Sequence, residues 1–394
     1  MIEKIAVRGF KSLENVEVEL GALNVFVGAN GSGKSNFLEA IGVLSAAADG
    51  KVNDQTLLQR GVRPGVPKLY KSAFPSSSEP HISFTAASAD ASYRVSLNNP
   101  LRDPAPAWRF KTEFLESYGE RLVGRGPNLA GNPNTEHGLA ALKMVELSRD
   151  TPPAILLSRL QSYVIYSPST AVLRGVSRDD QPRNPLGLSG GRLPEAVLEL
   201  LREGKRNKWV DQITRDVLEL VDWIDMFGSA ESGSLPLSPS ASGAPQVIKF
   251  RDRFMRKGRN VLSGYDASEG ALYVLFLAVL AAHPETPRLF AIDNADHGLN
   301  PGLATALMRD VSRWIVSNPR QPQVLMTSHN PAVLDGLPLK DDRVRLFAVD
   351  RDDTGRTVVR RIEITPKLLE LATKKDWPLS RLWMNKLIGG MPSV

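Results

Sequence analysis

The stretch that decides the fold runs from residue 28 to residue 35 and reads Gly28-Ala29-Asn30-Gly31-Ser32-Gly33-Lys34-Ser35. It matches G-x-x-x-x-G-K-[ST], the pattern of a loop whose backbone N–H groups surround phosphate oxygens. We expect Lys34 to reach the terminal phosphates and the Ser35 hydroxyl to bind Mg²⁺, a cation that prefers oxygen ligands. The residues predicted to contact a nucleotide here are Gly28, Asn30, Gly31, Ser32, Gly33, Lys34, Ser35 and Asn36.

The sequence on both sides of this loop fits the same interpretation. Residues 23–27 form a short apolar run, which predicts a buried strand. Apolar residues then recur with helical spacing over residues 36–47, and this helix would direct its positive N-terminus at the phosphates. Strand, loop and helix in this order favour a phosphate-binding loop over a Gly/Ser-rich turn that matches by chance. The predicted fold class is therefore α/β.

Composition limits the classes of protein to consider. The 394 residues are 42% hydrophobic and 23% charged, which is ordinary for a soluble chain. The absence of cysteine excludes disulfides and thiolate metal sites and predicts a reducing, cytoplasmic location. No signal-peptide core is present, and the longest apolar run, residues 271–282, is too short to span a bilayer, so we expect no membrane association. The net charge of +6 permits contact with DNA without requiring it.

Domain organisation is predicted from where the core patterns are interrupted. Residues 1–48 and 246–394 carry the strands and helices of a nucleotide-binding core, and residues 49–245 are predicted to form an inserted lobe of strands and helices. The segment near residues 229–245 is rich in Ser, Gly and Pro, which predicts a flexible loop. No internal repeat is present, and no heptad pattern is long enough for a coiled coil.

Two further apolar segments end in polar residues that suit a nucleotide site. Residues 289–292 are apolar and are followed by Asp293, the carboxylate that a phosphate-binding loop needs to hold Mg²⁺ through water. Residues 324–326 lead into a polar turn that contains His329, which we expect to hydrogen-bond the γ-phosphate and the attacking water. No two of the five histidines have metal-ligand spacing, so a zinc site is not predicted.

A third element combines a serine and a glycine at the start of an apolar helix. Ser268, Glu269 and Gly270 precede the apolar run, and a hydroxyl at a positive helix end suits a γ-phosphate. A rival, Ser189-Gly190-Gly191, lies 104 residues before Asp293, whereas Ser268 lies 25 residues before it, which leaves room for one helix and one strand. We therefore predict that Ser268, Glu269 and Gly270 contact nucleotide. In ATPases that hold ATP between two subunits, this element comes from the opposite subunit.

These elements in this order resemble the ABC-type ATPases of the SMC, RecF and OLD (overcoming lysogenization defect) group. The opening residues 5–13, Asn30 within the loop, and the turn Ser328-His329-Asn330-Pro331 are typical of that group. The resemblance covers about residues 1–44 and 264–350. It implies an ABC-type P-loop fold, in which a mixed sheet has flanking helices, with the inserted lobe in addition.

The resemblance also implies a role for individual residues. Ser268 and Gly270 would form the signature element, Asp293 the Walker B carboxylate and His329 the switch residue, with ATP as the nucleotide. Gln161, which precedes an apolar segment, is a candidate for the glutamine loop.

One position departs from the pattern of the group. Asn294 stands where the group has a glutamate that polarises the attacking water, and an amide cannot take up a proton. Hydrolysis could be slow, Asp296 could substitute as the base, or His329 and Asn294 could position water without a strong base. The predicted catalytic residues are therefore Asn294, His329 and Asp296.

The functional expectation follows from the resemblance. We expect a stand-alone ATPase, without a coiled coil or a nuclease domain, that forms a dimer around ATP. Free-standing relatives often work with a separately encoded effector, commonly a nuclease, in bacterial anti-phage defence. One alternative is a RecF-like, DNA-binding ATPase of repair or recombination, and another is a scaffold that binds ATP without turnover.

Overall fold

The structure is a computed structural model that describes residues 1–75, 80–126, 135–237, 244–363, 365, 377–385 and 387–388. Its strands are β1 (Lys4–Phe10), β2 (Leu13–Glu19), β3 (Leu23–Val27), β4 (Ile82–Ala87), β5 (Ala91–Asn98), β6 (Arg109–Ser117), β7 (Glu120–Arg125), β8 (Ile165–Tyr166), β9 (Ile224–Glu231), β10 (Gln246–Asp252), β11 (Val261–Ser263), β12 (Leu289–Ile292), β13 (Gln323–Ser328), β14 (Val344–Arg351) and β15 (Thr357–Ile362). Its α-helices are α1 (Lys34–Ala48), α2 (Asp54–Leu58), α3 (Pro67–Tyr70), α4 (Leu139–Lys143), α5 (Pro152–Ser162), α6 (Thr170–Leu173), α7 (Leu193–Gly204), α8 (Lys208–Leu220), α9 (Glu269–Ala282), α10 (Pro301–Val316), α11 (Ala332–Asp335) and α12 (Leu379–Met384).

The core is a six-stranded mixed sheet in the order β15-β14-β3-β13-β12-β8. Five of the strands are parallel, and β15 pairs antiparallel with β14 at one edge. Every residue of β3, β12 and β13 is buried, as expected for parallel strands that helices cover on both faces. The carboxyl ends of these three strands lie at the same edge of the sheet. The predicted α/β class with a mixed sheet and flanking helices is thereby confirmed.

A second, antiparallel sheet has the order β2-β1-β4-β5-β6-β7. Its strands alternate buried and exposed residues, as β1 does with Ile5 and Val7 inside and Arg8 outside. Helix α1 shares a single apolar cluster with this sheet and with strand β13 of the core sheet. Only Ser35 and Asn36, in its first turn, are not buried. The helix therefore exposes little besides the end next to the phosphate-binding loop of residues 28–35, called the P-loop below.

Helices α7, α8, α9 and α10 pack together in a second apolar cluster that includes β3 residues Val25 and Val27. Helix α9 is central to it, since every residue from Gly270 to Ala282 is buried. This burial on all sides explains why the sequence over α9 has no polar face. Among the described residues, no helix is both long and apolar enough to cross a membrane.

The predicted domain division remains a prediction. Strand β1 pairs with β4, so residues from both sides of the predicted boundary after residue 48 share one sheet. Strand β8 likewise pairs with β12 in the core sheet. The predicted flexible loop near 229–245 begins too early, because residues 229–231 belong to β9 and pair with β10, and residues 238–243 lie outside the described part of the chain.

Candidate nucleotide site

The P-loop connects the end of β3 to the start of α1, as the sequence predicts. Gly33 has a φ of +114°, a conformation that favours glycine, and a Cβ there would lie 2.1 Å from Thr357 Oγ1. A Cβ on Gly28 would lie 2.2 Å from the carbonyl oxygen of Val349. A side chain at either glycine of the sequence pattern would therefore clash with the hairpin of β14 and β15, and Gly33 also has a backbone conformation that favours glycine.

The loop and the first turn of α1 present polar groups that suit an anion. The N–H groups of Lys34, Ser35 and Asn36 lie in the first helical turn, where no intrahelical acceptor exists. That turn carries no acidic residue. The Ser32 hydroxyl is buried and has no hydrogen-bond partner in the described part of the chain, where the space beside Gly31 is also open. A phosphate group would supply the acceptors that these donors lack, so the residues fit a nucleotide.

Lys34 is buried inside this loop. Its Nζ donates to the carbonyl oxygens of Gly28 at 2.8 Å and Ala29 at 2.9 Å, and it lies 3.3 Å from His329 Nδ1. Burial lowers the pKa of Lys34 to about 8, although the charges of Asp293 and Asp296 act in the opposite direction. The phosphates of a bound nucleotide would compensate this buried charge.

Asp293 and Ser35 form the candidate Mg²⁺ site. The Ser35 hydroxyl lies within hydrogen-bond distance of both carboxylate oxygens of Asp293, at 3.1 and 2.9 Å. Thr327, which the sequence analysis did not select, donates from its hydroxyl to Asp293 Oδ1 at 2.5 Å. A carboxylate beside a hydroxyl offers the hard oxygen ligands that Mg²⁺ takes, and the ion would neutralise charge on the phosphates there. The fold thus joins two predicted ligands that lie 258 positions apart.

His329 follows β13 and faces the same loop. A charged Lys34 has only donors to offer, so His329 Nδ1 accepts from it and the ring proton lies on Nε2. Burial, and then the positive charge of Lys34, lower the pKa of His329. The ring is therefore neutral at neutral pH and presents one N–H donor beside the P-loop.

The hairpin of β14 and β15 forms one side of the nucleotide site, and the sequence alone did not predict this. Thr357 Oγ1 donates to the carbonyl oxygen of Ser32 at 2.7 Å and lies 2.7 Å from Ser12 Oγ. Arg351 Nε donates to the carbonyl oxygen of Gly31 at 2.9 Å. These contacts hold the P-loop from the side. No local pattern marks Thr357, because its partner Ser32 lies 325 positions away.

Comparisons with known proteins agree with this geometry. A family model described as "AAA ATPase domain" matches residues 1–86, and one described as "AAA domain, putative AbiEii toxin, Type IV TA system" matches residues 182–335. The DNA replication and repair protein RecF of Halothermothrix orenii is 38% identical over 71 residues, which cover 18% of this chain and 19% of RecF. The match thus spans less than two thirds of that relative.

Solved structures extend the similarity over most of the chain. The Smc head domain of Pyrococcus furiosus, with an extended coiled coil and bound to the C-terminal domain of ScpA, has 12% identity and a TM-score of 0.51, and the match covers 95% of this chain and 98% of that one. The SmcHead bound to the C-winged helix domain of ScpA has 13% identity and a TM-score of 0.53, covering 94% and 99%. At these identities the similarity shows the fold.

The chain is similar to AAA ATPases over the residues that the two family models match, and its fold is similar to that of SMC head domains. The phosphate-binding loop and the strand that ends before Asp293 occur along the chain in the order that the sequence predicts. Whether it hydrolyses ATP is a separate question, which depends on the residues beside Asp293.

Asp296 holds in place the turn of residues 328–331, which we call the switch turn. Its Oδ2 accepts hydrogen bonds from the backbone N–H groups of His329 at 3.0 Å and Asn330 at 2.7 Å. Its Oδ1 is buried without a hydrogen-bond partner, and the residue as a whole is 8% exposed. Both oxygens are therefore enclosed. This geometry favours a positioning role for Asp296 over the predicted role of a substitute base.

Asn294 stands beside the candidate Mg²⁺ site in a left-handed conformation. Its φ is +56°, which asparagine adopts more readily than most residues. Its backbone N–H donates to Thr327 Oγ1 at 2.8 Å, and its side chain is exposed. The amide could orient water but could not take its proton. The catalytic roles of Asn294 and His329 stay predictions.

The signature candidates lie away from the P-loop of their own chain. Among the described residues, none of Ser268, Glu269 and Gly270 forms a hydrogen bond or an ion pair with it. Ser268 is exposed at the N-terminus of α9, and its side chain makes no capping hydrogen bond. The Glu269 carboxylate accepts a hydrogen bond from Thr170, and a Cβ on Gly270 would lie 2.9 Å from Leu303. Glu269 and Gly270 thus have packing roles within the chain, whereas the Ser268 hydroxyl is available to a partner.

Gln161 lies at the wrong end of α1 for a nucleotide contact. Its side-chain amide donates to the carbonyl oxygen of Ala48, the last residue of α1, at 3.0 Å. The P-loop is at the opposite end of this 15-residue helix, about 20 Å away. The prediction that Gln161 belongs to a glutamine loop is therefore wrong. Gln161 lies in α5, before strand β8, whereas the segment that reaches the carboxyl edge of the sheet follows Tyr166.

The lowered pKa of Lys34 predicts that ATP binds more weakly above pH 8. The free protein loses the Lys34 proton above its pKa of about 8, whereas the phosphates of bound ATP favour the protonated form. Binding therefore takes up a proton in this range, and Kd should rise by up to about tenfold per pH unit. Calorimetric titration with ATP across this pH range, in buffers of different ionisation enthalpy, measures both effects.

The variant Lys34→Arg is the matched control for this titration, because arginine keeps its charge throughout the range. Whatever its absolute affinity for ATP, this variant should lose the pH dependence of Kd. A wild-type Kd that stays constant through pH 8 to 10 would show that the Lys34 proton is not linked to binding.

Proposed function

We propose that this protein is an ATP-dependent switch: two copies bind ATP between them, turn it over slowly and control a separately encoded effector such as a nuclease. The observation that carries the proposal is the convergence of Lys34, Ser35, Asp293 and His329 around one P-loop. A role in bacterial anti-phage defence is supported by the family model whose description names a putative AbiEii toxin of a Type IV TA system. A cytoplasmic location is part of the proposal.

Dimer formation is supported by the position of Ser268. The described residues of one chain bring Lys34, Asp293 and His329 together without Ser268, and the Ser268 hydroxyl is exposed and makes no cap. The N-terminus of α9 offers N–H donors and a positive helix end beside it. Ser268 of a second copy would then complete the site on the side of the γ-phosphate.

Slow turnover is supported by the chemistry of the residues near Asp293. Ser35 and Asp293 would hold Mg²⁺, Lys34 would hold phosphate charge, and the neutral ring of His329 would donate a hydrogen bond. No carboxylate stands at position 294, and Asp296 is enclosed. The attacking water would therefore be oriented without an efficient proton acceptor, which general-base catalysis needs for its contribution of about 100-fold or more.

Ser268→Ala is expected to weaken ATP-dependent dimer formation without affecting stability. Because the Ser268 side chain makes no capping bond, its removal should leave the melting temperature within about 1 °C of wild type. The dimer affinity with ATP and Mg²⁺ should fall at least about tenfold, since a hydrogen bond to a charged phosphate is lost. Sedimentation velocity with and without ATP measures the change.

Ser317→Ala serves as the control, because Ser317 is also exposed and lies at a helix end, that of α10. It should dimerise with ATP as wild type does. If Ser268→Ala dimerises equally well, the second copy does not contribute Ser268 to the site.

A second candidate function is ATP-dependent work on DNA in repair or recombination. The similarity to RecF over 71 residues supports it, as does a cationic segment between β10 and β11. A third, an ATP-binding scaffold, is supported by Asn294 and would be distinguished by ATP binding without any turnover.

A further inference from the structure

A turn with an unusual surface connects β10 to β11. We call residues 251–259 the cationic tip. Its positively charged side chains are Arg251, Arg253, Arg256, Lys257 and Arg259. Two large apolar side chains stand among them, Phe254 at 77% exposure and Met255 at 48%. Exposed apolar residues surrounded by charge mark an interaction surface more often than a structural need, because water is a poor environment for them.

Hydrogen bonds fix the backbone of the cationic tip. Asp252 is buried, and its Oδ1 accepts hydrogen bonds from the backbone N–H groups of Phe254 at 2.7 Å and Met255 at 3.0 Å. Asn260 donates from its side chain to the carbonyl oxygen of Asp252 at 3.2 Å. The Arg253 guanidinium donates to the carbonyl oxygen of Ile224. The backbone is thus fixed in a form that exposes Phe254 and Met255, so little ordering would be needed when a partner binds.

Most of the charge on the tip is not neutralised by the residues that the structure describes. Arg251 pairs with Asp225 at 2.5 Å. Arg256, Lys257 and Arg259 form no ion pair with any described residue, and all three are exposed. Three like charges within four positions repel one another, and a polyanion would relieve that repulsion.

The combination favours a nucleic acid over an acidic protein. Interfaces with nucleic acid are strongly positive, and a phosphate backbone offers closely spaced negative charges to the three cations that form no ion pair with the described residues. Aromatic and apolar side chains at such surfaces stack on bases or insert between them. We propose that the cationic tip contacts a nucleic acid, with Arg256, Lys257 and Arg259 on the phosphates and Phe254 and Met255 against the bases. This surface lies outside the nucleotide site and bears on the second candidate function.

The cationic tip is connected to helix α9 by strand β11 and five further residues. Strand β11 ends at Ser263, whose N–H and hydroxyl donate to Asp266 Oδ2 at 3.2 and 2.7 Å. Ser268 and α9 follow directly. The cationic tip is therefore connected through β11 to the element that we propose completes the ATP site in a dimer.

Fluorescence anisotropy with labelled duplex DNA and labelled single strands tests the proposal. The full chain is titrated without nucleotide at several salt concentrations, so a failure of the ATP proposal leaves the result intact. The triple variant R256A/K257A/R259A should lower the salt slope by about one for each cation removed. The double variant F254A/M255A should weaken binding about tenfold at fixed salt while it leaves the salt slope unchanged.

The triple variant R202A/K205A/R206A is the matched control, since it removes three exposed cations elsewhere on the surface. It should bind DNA nearly as wild type does. No binding by wild type at low salt overturns the proposal, and so does equal loss in both triple variants. Tighter binding of polyglutamate than of DNA at the tip would also overturn it, in favour of an acidic protein.

Discussion

Lys34→Ala is expected to lower ATP turnover by at least about 100-fold, the usual effect of removing a donor that stabilises charge in a transition state. Lys34 Nζ lies inside the P-loop and 3.3 Å from His329, so no solvent-exposed cation could replace it. The affinity for ATP should fall as well, because the P-loop would lose its one side-chain charge. Steady-state phosphate release and calorimetric titration with ATP measure the two effects.

The stability of the free variant separates this loss from misfolding. Burial lowers the pKa of Lys34 to about 8, so at pH 7 the protein holds a charged group that the fold disfavours. This penalty is complete below pH 8 and is relieved as the pH rises toward the unfolded value of 10.5. The melting temperature of Lys34→Ala without nucleotide should therefore equal or exceed that of wild type at pH 7. Lys51→Ala, at an exposed position, is the control. Unchanged turnover in Lys34→Ala would show that the assigned site is wrong.

Asn294→Glu is expected to raise ATP turnover by about 100-fold, the lower end of what a positioned general base contributes. The side chain of residue 294 is exposed beside Asp293, at the place where the attacking water would approach the γ-phosphate. A glutamate there would accept the proton that an amide cannot. Steady-state turnover at saturating ATP is the measurement, with the fraction of dimer in ATP as a second readout, which should fall as ATP is consumed faster.

The backbone at residue 294 determines the controls. The φ of +56° suits asparagine, and glutamate in this region costs roughly 1–2 kcal/mol. Asn294→Gly relieves that strain without adding a carboxylate and should not raise turnover, whereas Asn294→Asp adds a carboxylate with less strain. If Asn294→Glu binds ATP but turns it over no faster, a missing base is not what limits the reaction. A wild-type protein that binds ATP without turnover would favour the scaffold.

The site residues that could be predicted are those next to a strong local pattern. The P-loop needs glycines, a lysine and a hydroxyl in one continuous stretch, and Asp293 and His329 each follow a fully buried strand. Asp296 was selected for its chemistry alone, and its enclosed oxygens depend on how the switch turn packs. The prediction for Gln161 failed because this residue lies in α5, four residues before β8 begins, whereas a residue at the carboxyl edge of the sheet would have to follow β8.

The residues that hold the P-loop and Asp293 in position could not be predicted from local patterns. Thr357 and Arg351 reach the P-loop from a hairpin more than 300 residues along the chain, and Thr327 gains its role only because β13 lies beside β12. The pairing of β1 with β4 similarly joins segments that composition had assigned to different lobes.

The order of residues alone determined that this chain has a phosphate-binding loop, an apolar strand ending in a carboxylate and a second ending in a histidine, because each depends on chemistry within a few neighbouring positions. The tertiary structure decided which of these groups meet, and it left Ser268 exposed at the N-terminus of α9 without a capping hydrogen bond. It also decided that Asp296 is enclosed and that Phe254 is exposed. Strand pairing and helix packing join positions hundreds of residues apart, and such contacts leave no local trace along the chain.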